Sequence, residues 1–468
     1  MVILMSGKNI AAPGPGGRGM DLTCCSIWRT LFALSAPVVL GMALQTGFNI
    51  VDTIFVGMLG SEQLAAISVT FPVVFIFIAI ASGLTIGSTA LMSHAIGAGR
   101  QKEASNIAEH SLLAAVFIGL AVAAVGIAFS PPIFSFMGVS GHILEMTIQY
   151  ANLIFIGFLF LFIGFLSQGI IQAGGDTVTP TKNLAVSVAL NVVLDPLFIF
   201  GFGPVPAMGL AGAGMATVIS RGVGAALNIQ HVMRGKARVK LDPRNFRFDY
   251  RIISGVLKTG TPSSVSQSIN SIGMILLMGL VGTFGTAAIA AFGVGLRLES
   301  LAILPVIGLS SALVPFVGQN LGAGRTDRAK RAVSLTSYVA ALYMVMFMAL
   351  WYFVPGLMYS PFTADPEVIA TGVSYLMTIS FGYVFLGLDF VIGAAFQAAG
   401  RTTLQMILNL LRWAVTVALA YTLVGLLGIT GVWAGFPLGN LAGFILFFFI
   451  LRSGFWLKKW ESERHGHS

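Results

Sequence analysis

Charge is scarce in this sequence. Only 9% of its 468 residues are Asp, Glu, Lys or Arg, where a soluble globular chain carries roughly 25%. So few charges cannot solvate a chain of this size, which excludes an ordinary soluble enzyme. Cysteine is nearly missing too. Cys24 and Cys25 are neighbours, so they staple nothing distant and no disulfide framework exists. They precede the first apolar run and read as two reduced interfacial thiols, with S-acylation as the alternative. No G-x-x-x-x-G-K-[S/T] is present, so nothing points to ATP as the energy source. H-E-x-x-H and paired Cys/His ligand sets are also missing, and the six histidines lie in tails or near the ends of apolar runs. That argues against a membrane enzyme of the zinc-protease or haem kind. The lack of an Asp-rich diphosphate motif argues against an isoprenoid transferase. A literal G-x-G-x-x-G at Gly14, Gly16 and Gly19 has no strand before it and no βαβ unit around it, so it reads as flexible tail. Val2 to Met5 is too short an apolar run for a signal peptide.

What the sequence has in abundance is apolar length. Hydrophobic residues make up 56% and the mean hydropathy is +0.90. Apolar runs fall at about 31–56, 64–92, 111–130, 148–172, 183–202, 209–232, 263–284, 288–317, 334–354, 372–396, 404–427 and 430–451. Runs near or above 20 residues mark membrane-crossing helices, whereas barrel strands would alternate with period two. The fold class expected is an all-α polytopic membrane protein with twelve transmembrane helices.

The net charge of +9 would suggest nucleic acid in a soluble protein. Here it reports membrane orientation instead. With the N-terminus inside, every Lys and Arg outside the apolar runs falls in an inner loop or a tail, and the outer loops hold none. Miscounting the helices by one would scatter these charges to both faces. Both termini are therefore expected on the cytoplasmic side of the cell (inner) membrane. The loop after the sixth run carries Arg234, Lys236, Arg238, Lys240, Arg244, Arg247, Arg251 and Lys258, and its later part reads as an amphipathic stretch entering the seventh. The organisation expected is a tail at 1–28, an N-lobe at 29–233, a basic linker at 234–258, a C-lobe at 259–452 and a tail at 453–468.

The two halves repeat. Residues 56–73 align with 281–298, GAGR at 97–100 recurs at 322–325, and IQAGGDT at 171–177 recurs as FQAAGRT at 396–402. All three pairs share one offset, 225 residues. Gly/Ala-rich membrane composition alone would scatter the offsets. Six helices per repeat give both halves the same orientation, so the lobes are pseudo-symmetric parallel repeats.

Four acids lie within the apolar runs: Asp52, Asp195, Glu299 and Asp389. Each costs roughly 2.5–3.5 kcal/mol to insert at mid-membrane and is a functional candidate for that reason, with structural salt bridging as the bland alternative. Gln45, Asn49 and Asp52 are spaced i, i+4, i+7 and share a helical face, as do Asn191 and Asp195. Pro196 is expected to bend or open its helix and free carbonyl oxygens. Thr217 and Tyr150 add hydroxyls. Carboxylate, amide and hydroxyl oxygens form a hard donor set that suits Na⁺, or a proton shared between carboxylates. Asp52 and Asp195 map through the repeat onto Leu277 and Ala420, so the second half lacks both acids. That asymmetry places the ion site in the first half. The second half has its own polar set of Gln267, Asn270, Arg297, Glu299, Asp389 and Arg412. Arg297 and Arg412 read as members of structural ion pairs. Arg297 and Glu299 point to opposite sides of their helix, and Glu299 and Asp389 are left open. Phe (36) and Met (19) would suit a cavity for amphiphiles, although packing accounts for most of them.

QTGFNIVDTIFVGMLGSEQLAAIS at 45–68, the recurring GAGR turns, N-x-x-x-D-P at 191–196 and VGQNLGAGR at 317–325 resemble the multidrug and toxic compound extrusion (MATE) family over about residues 30–452. LRLES at 296–300 is similar to its DinF-like prokaryotic branch. The resemblance implies two six-helix lobes around a V-shaped cleft, exporting cationic or amphiphilic organic compounds in exchange for H⁺ or Na⁺. It implies a cation site at Asp52, Tyr150, Asn191, Asp195 and Thr217, with Asp52, Asn191, Asp195 and Thr217 as ligands if the ion is Na⁺. Gln45 would line the same cavity, and Asn49, Gln267 and Asn270 complete the candidate substrate set. The expectation is no enzyme activity, no cofactor beyond the coupling ion, no nucleic acid, and a monomer that meets small organic cations or amphiphiles, a monovalent cation and the bilayer. The runner-up is a lipid-linked oligosaccharide or lipid flippase. Only Arg221, Arg297 and Arg412 would serve its diphosphate groups, which is thin. A passive channel or membrane scaffold is a further class, which uphill transport would separate.

Overall fold

The computed structural model describes residues 19–24, 26–241, 246–458 and 460. The described residues form thirteen α-helices and a final 3₁₀ turn at Phe455–Leu457. The first seven are α1 (Ile27–Gly57), α2 (Ser61–Gly97), α3 (Gln101–Phe136), α4 (Gly141–Ala173), α5 (Val178–Phe200), α6 (Leu210–Met233) and α7 (Tyr250–Gly282). The remainder are α8 (Thr286–Gly322), α9 (Thr326–Phe353), α10 (Pro355–Tyr359), α11 (Pro366–Ala398), α12 (Thr402–Leu427) and α13 (Ile429–Arg452). All except α10 are long and apolar enough to cross a membrane, which makes twelve. Among the described residues no strand forms; an isolated bridge joins Phe202 and Val205.

Each of the twelve expected spans maps onto one of these helices, and most of the helices are longer. α2 and α8 each reach 37 residues. Apolar composition marks only the stretch that meets lipid, while backbone hydrogen bonding continues through the polar ends until a glycine stops it. Gly99 and Gly324 (φ 74° and 70°) end α2 and α8, and Gly175 and Gly400 (φ 83° and 72°) end α4 and α11. Each is a left-handed position that strains any side-chain-bearing residue. Pro196 does not open α5, which is continuous from Val178 to Phe200. Only the hydrogen bond that its missing N–H would donate is lost. The later part of the basic stretch, from Tyr250, is continuous with the seventh span in one helix to Gly282. Cys25 and Arg244 lie outside the described residues, as do the glycine-rich tail and the short apolar run before it. Cys24 is half-buried, its Sγ donating to the Asp21 carbonyl at 3.4 Å.

Packing gathers the chain into two compact units that do not coincide with the sequence halves. The first comprises residues up to Cys24 together with Leu40–Ser264. The second comprises Cys25–Val39 together with Val265–Ser468. The expected lobe boundaries at 29–233 and 259–452 therefore differ from the packing at two places, inside α1 and inside α7. The two divides lie one repeat apart, each shortly after a proline within the helix, Pro37 in α1 and Pro262 in α7. In the first unit α7 runs closely against α2, where a Cβ on Gly87 would stand 2.7 Å from the Gly260 backbone nitrogen. In membranes, where burial gives helices no hydrophobic advantage over lipid, such small-residue contacts are a principal source of association.

The same close contacts recur in both units. Gly157 meets Val218 in the first, and Gly382 meets Pro437 in the second. Gly212 meets the Phe198 carbonyl, and Gly431 meets that of Leu423. Gly224 meets Ser187, and Gly443 meets Arg412. Residues on α11 and α12 keep the offset of 225 from α4 and α5. Those on α13 have an offset of 219 from α6, because the connector 201–209 shrinks to Gly428 in the second half.

A candidate cation site in the first unit

Two polar pins fix the register of α5 against α6. Ser187 Oγ donates to the Ser220 carbonyl at 2.6 Å, and Asn183 Nδ2 donates to Asn228 Oδ1 at 2.7 Å. Asn191 follows Ser187 by one turn and Asp195 by two, so the pins hold both on the face that meets α6. Both are fully buried, and Asn191 Nδ2 donates to Asp195 Oδ1 at 3.0 Å. Tyr150 on α4 is buried against Gly214 of α6, where a Cβ would lie 3.4 Å from its ring. Gly214, Thr217 and Arg221 share that face of α6 at i, i+3, i+7, and Thr217 is buried.

Asp52 comes from the last turns of α1. It interacts electrostatically with Asp195, Tyr150 and Arg221. The Arg221 guanidinium lies 5.9 Å from the Phe48 ring centroid, one turn before Asp52. The structure therefore brings together Asp52, Tyr150, Asn191 and Asp195, with Thr217 on the adjoining face of α6.

Three oxygens of this group are buried and accept no hydrogen bond: Asp52 Oδ1, Asn191 Oδ1 and Asp195 Oδ2. A buried polar atom left without a partner costs about 1–3 kcal/mol, and more when charged. Three such acceptors on interacting residues are an electron-rich set short of one positive partner. A proton on one carboxylate, or a small hard cation among the oxygens, fits that deficit.

The remaining candidates divide. Gln45 is half-buried and donates to Asn49 Oδ1 at 3.4 Å, and Asn49 is exposed. In the second unit Gln267 is exposed. Asn270 Oδ1 accepts from Asn409 (3.0 Å), Arg412 (3.2 Å) and Trp413 (2.8 Å), so its carbonyl is occupied within the bundle. Arg412 forms no ion pair of the kind expected. Its guanidinium donates to the amide oxygens of Asn409 and Asn440, both at 2.8 Å, because α12 and α13 approach through Gly443 and present amides. Asp389 acts on Arg412 only at longer range, and neither of its buried oxygens is hydrogen-bonded. Arg297 is exposed and joins no ion pair among the described residues, while Glu299 on the other side of α8 is buried and accepts a hydrogen bond from Tyr375. Sequence reading named Arg221 as an intramembrane arginine but did not place it at this site. It follows Thr217 by four, which was visible, but its nearness to Asp52 required the packing of α1 beside α6.

The sequence model of the MatE family matches residues 37–197 and 262–422, two copies that start one repeat apart. The chain belongs to the MatE family. A FAD transporter of Shewanella oneidensis is 31% identical over 428 residues, covering 90% of this chain and 93% of that protein. A probable multidrug resistance protein, NorM, of Thermotoga maritima is 26% identical over 441 residues, covering 93% and 94%. Among solved structures, an outward-facing conformation of a multidrug resistance MATE family transporter of the MOP superfamily aligns with a TM-score of 0.86 at 28% identity, over 92% of this chain and 96% of that one. A MATE in the bent conformation aligns at 0.88, also at 28% identity, over 94% and 98%. This MatE chain is thus a multi-pass membrane transporter.

Proposed function

We propose that this MatE transporter is a secondary antiporter that exports organic compounds against an inward flow of H⁺ or Na⁺, and that the cation is held in the first unit by Asp52, Asn191 and Asp195, with Tyr150 and Thr217 beside them. The observation that carries the reading is the set of three buried, unpartnered oxygens on these residues. An empty site leaves a costly cluster of like charge, and a bound cation relieves it. A transporter whose two access states differ in how well they hold that cation is coupled to its gradient, and without such a difference no coupling follows. Arg221 offers a second way of relieving Asp52, so it can take the cation's place once the ion leaves. The absence of basic residues from the outer loops supports placing both termini on the cytoplasmic side of the cell membrane.

Cationic or amphiphilic organics are the first substrate class, supported by the multidrug resistance relatives. The Shewanella oneidensis relative supports a second reading, a flavin nucleotide. The test is efflux from proteoliposomes with ΔpH and a Na⁺ gradient imposed separately, using a fluorescent organic cation and FAD in parallel. Asp52→Asn should reduce gradient-driven efflux to the level of empty liposomes while the protein still inserts. Full efflux in that variant would refute the site.

A further inference from the structure

The aspartate pair has no counterpart in the second unit, but the tyrosine opposite it does. Tyr150 maps through the repeat onto Tyr375, and both are buried. Tyr375 also meets a carboxylate, supplied from a different helix: its hydroxyl donates to Glu299 Oε1 on α8. Glu299 is itself buried, and through the repeat it corresponds to Val74. Each unit therefore sets a carboxylate against the same tyrosine position, from α1 in one and from α8 in the other.

The surroundings of Glu299 are built for this. Ala291, Gly295 and Glu299 follow one another at i, i+4, i+8 on α8, along one stripe. The Tyr359 hydroxyl donates to the Ala291 carbonyl at 2.8 Å. Gly295 has no side chain because a Cβ there would overlap the Tyr375 ring, and Gly372 is bare for the same reason beneath Tyr359. Trp433 on α13 closes over Tyr375, edge to face at 4.7 Å. The groups acting on Glu299 are the phenols of Tyr375, Tyr383 and Tyr359. No basic group is among them, Arg297 being exposed on the other side of α8. Among the described residues hydroxyls reach this carboxylate and no fixed cation pairs with it, so its charge inside the membrane is balanced by a bound proton or another mobile cation.

We infer that Glu299, capped by Tyr375, is a second monovalent-cation site of this transporter, in the unit that lacks the aspartate pair. The proposal rests on the coupling reading above. A proton would bind Oε2 to give the neutral acid while Tyr375 continues to donate to Oε1. A sodium ion would take a carboxylate oxygen together with phenol oxygens. In either case the second unit responds to the same gradient as the first.

The experiment is infrared difference spectroscopy of the purified full-length protein, titrated with pH in the absence of Na⁺ and with Na⁺ at fixed pH, alongside efflux from proteoliposomes. Glu299→Gln keeps an acceptor for Tyr375 and removes only the ionisable group. It should lose one carboxyl signal that the wild type gains and loses with pH, or with Na⁺, and the two titrations identify which ion is taken. Tyr375→Phe, which keeps the ring seated on Gly295, should shift that signal without abolishing it. In efflux, Glu299→Gln should lower the cation-concentration slope by about one site. Spectra of Glu299→Gln that superimpose on wild type under every condition would overturn the second site and leave the Asp52 reading intact. A wild type that ignores both gradients would overturn the coupling reading instead, with the Glu299 signal still read directly from the spectra.

Discussion

Equivalent places in the two units carry opposite chemistry. Around Tyr150 the first unit gathers Asp52, Asp195, Thr217 and Arg221. Around Tyr375 the corresponding positions hold Leu277, Ala420, Phe436 and Asn440, and a small apolar cavity lined by Met274, Leu277, Phe292, Tyr375, Trp433 and Phe436. Three close glycine contacts are the same in both units, so the shared scaffold alone does not dictate the difference. Duplication preserved what two helices need in order to pack, namely a missing side chain at each close approach. It left the polar positions free, and each unit placed its buried charge where a different neighbour could tolerate it. In the second unit Arg412 stands at the position of Ser187, held by the amides of Asn409 and Asn440, while the buried acids Glu299 and Asp389 lie at other places.

The predictions probe that contrast, from the largest effect to the smallest. Asp52→Asn and Asp195→Asn should each remove gradient-driven efflux, whereas Leu277→Asn at the equivalent place should leave it within about threefold, a difference under about 0.7 kcal/mol; equal losses at Asp52 and Leu277 would erase the distinction between the units. Arg412→Met should lower unfolding stability by about 3 kcal/mol, because it leaves the oxygens of Asn409 and Asn440 short of a charged donor; the measurement is thermal or denaturant unfolding in detergent. The matched pair Gly443→Ala and Gly224→Ala should separate in the same assay. A Cβ at Gly443 would sit 2.7 Å from Arg412 carbons, whereas one at Gly224 would sit 3.2 Å from Ser187. The first should cost about 1–3 kcal/mol and the second under about 1 kcal/mol. The smallest effect is expected of Arg221→Gln. Removing a positive charge that competes for Asp52 should lower the half-saturating cation concentration about three- to tenfold, up to about 1.4 kcal/mol. A rise would mean that Arg221 positions the site.

Much of this was legible in the sequence. Asp52, Asn191 and Asp195 stood out because an acid inside an apolar run is costly, and an amide one turn away is a local, countable pattern. Arg221 stood out as an intramembrane arginine but not as a neighbour of Asp52. A cation four residues beyond Thr217 means nothing until α1 is laid beside α6. The partners of Asn270 were hidden for a related reason. A polar residue on an apolar helix reads as cavity-facing, but Asn409, Arg412 and Trp413 come from a helix far along the chain. Pro196 was expected to open α5, yet the helix tolerates the loss of one hydrogen bond. The partnership of Glu299 with Tyr375 spans 76 residues, and no spacing rule reaches that far.

The sequence alone determined the twelve helices and the duplication, because hydropathy and a constant offset are properties of neighbours along the chain and of the bilayer that receives them. Only the tertiary structure decided where α1 and α7 divide between the packing units, which oxygens remain without partners, and which carboxylate meets which tyrosine. Those outcomes depend on side chains brought together from distant segments, where a single missing Cβ or a single amide settles how closely two helices approach.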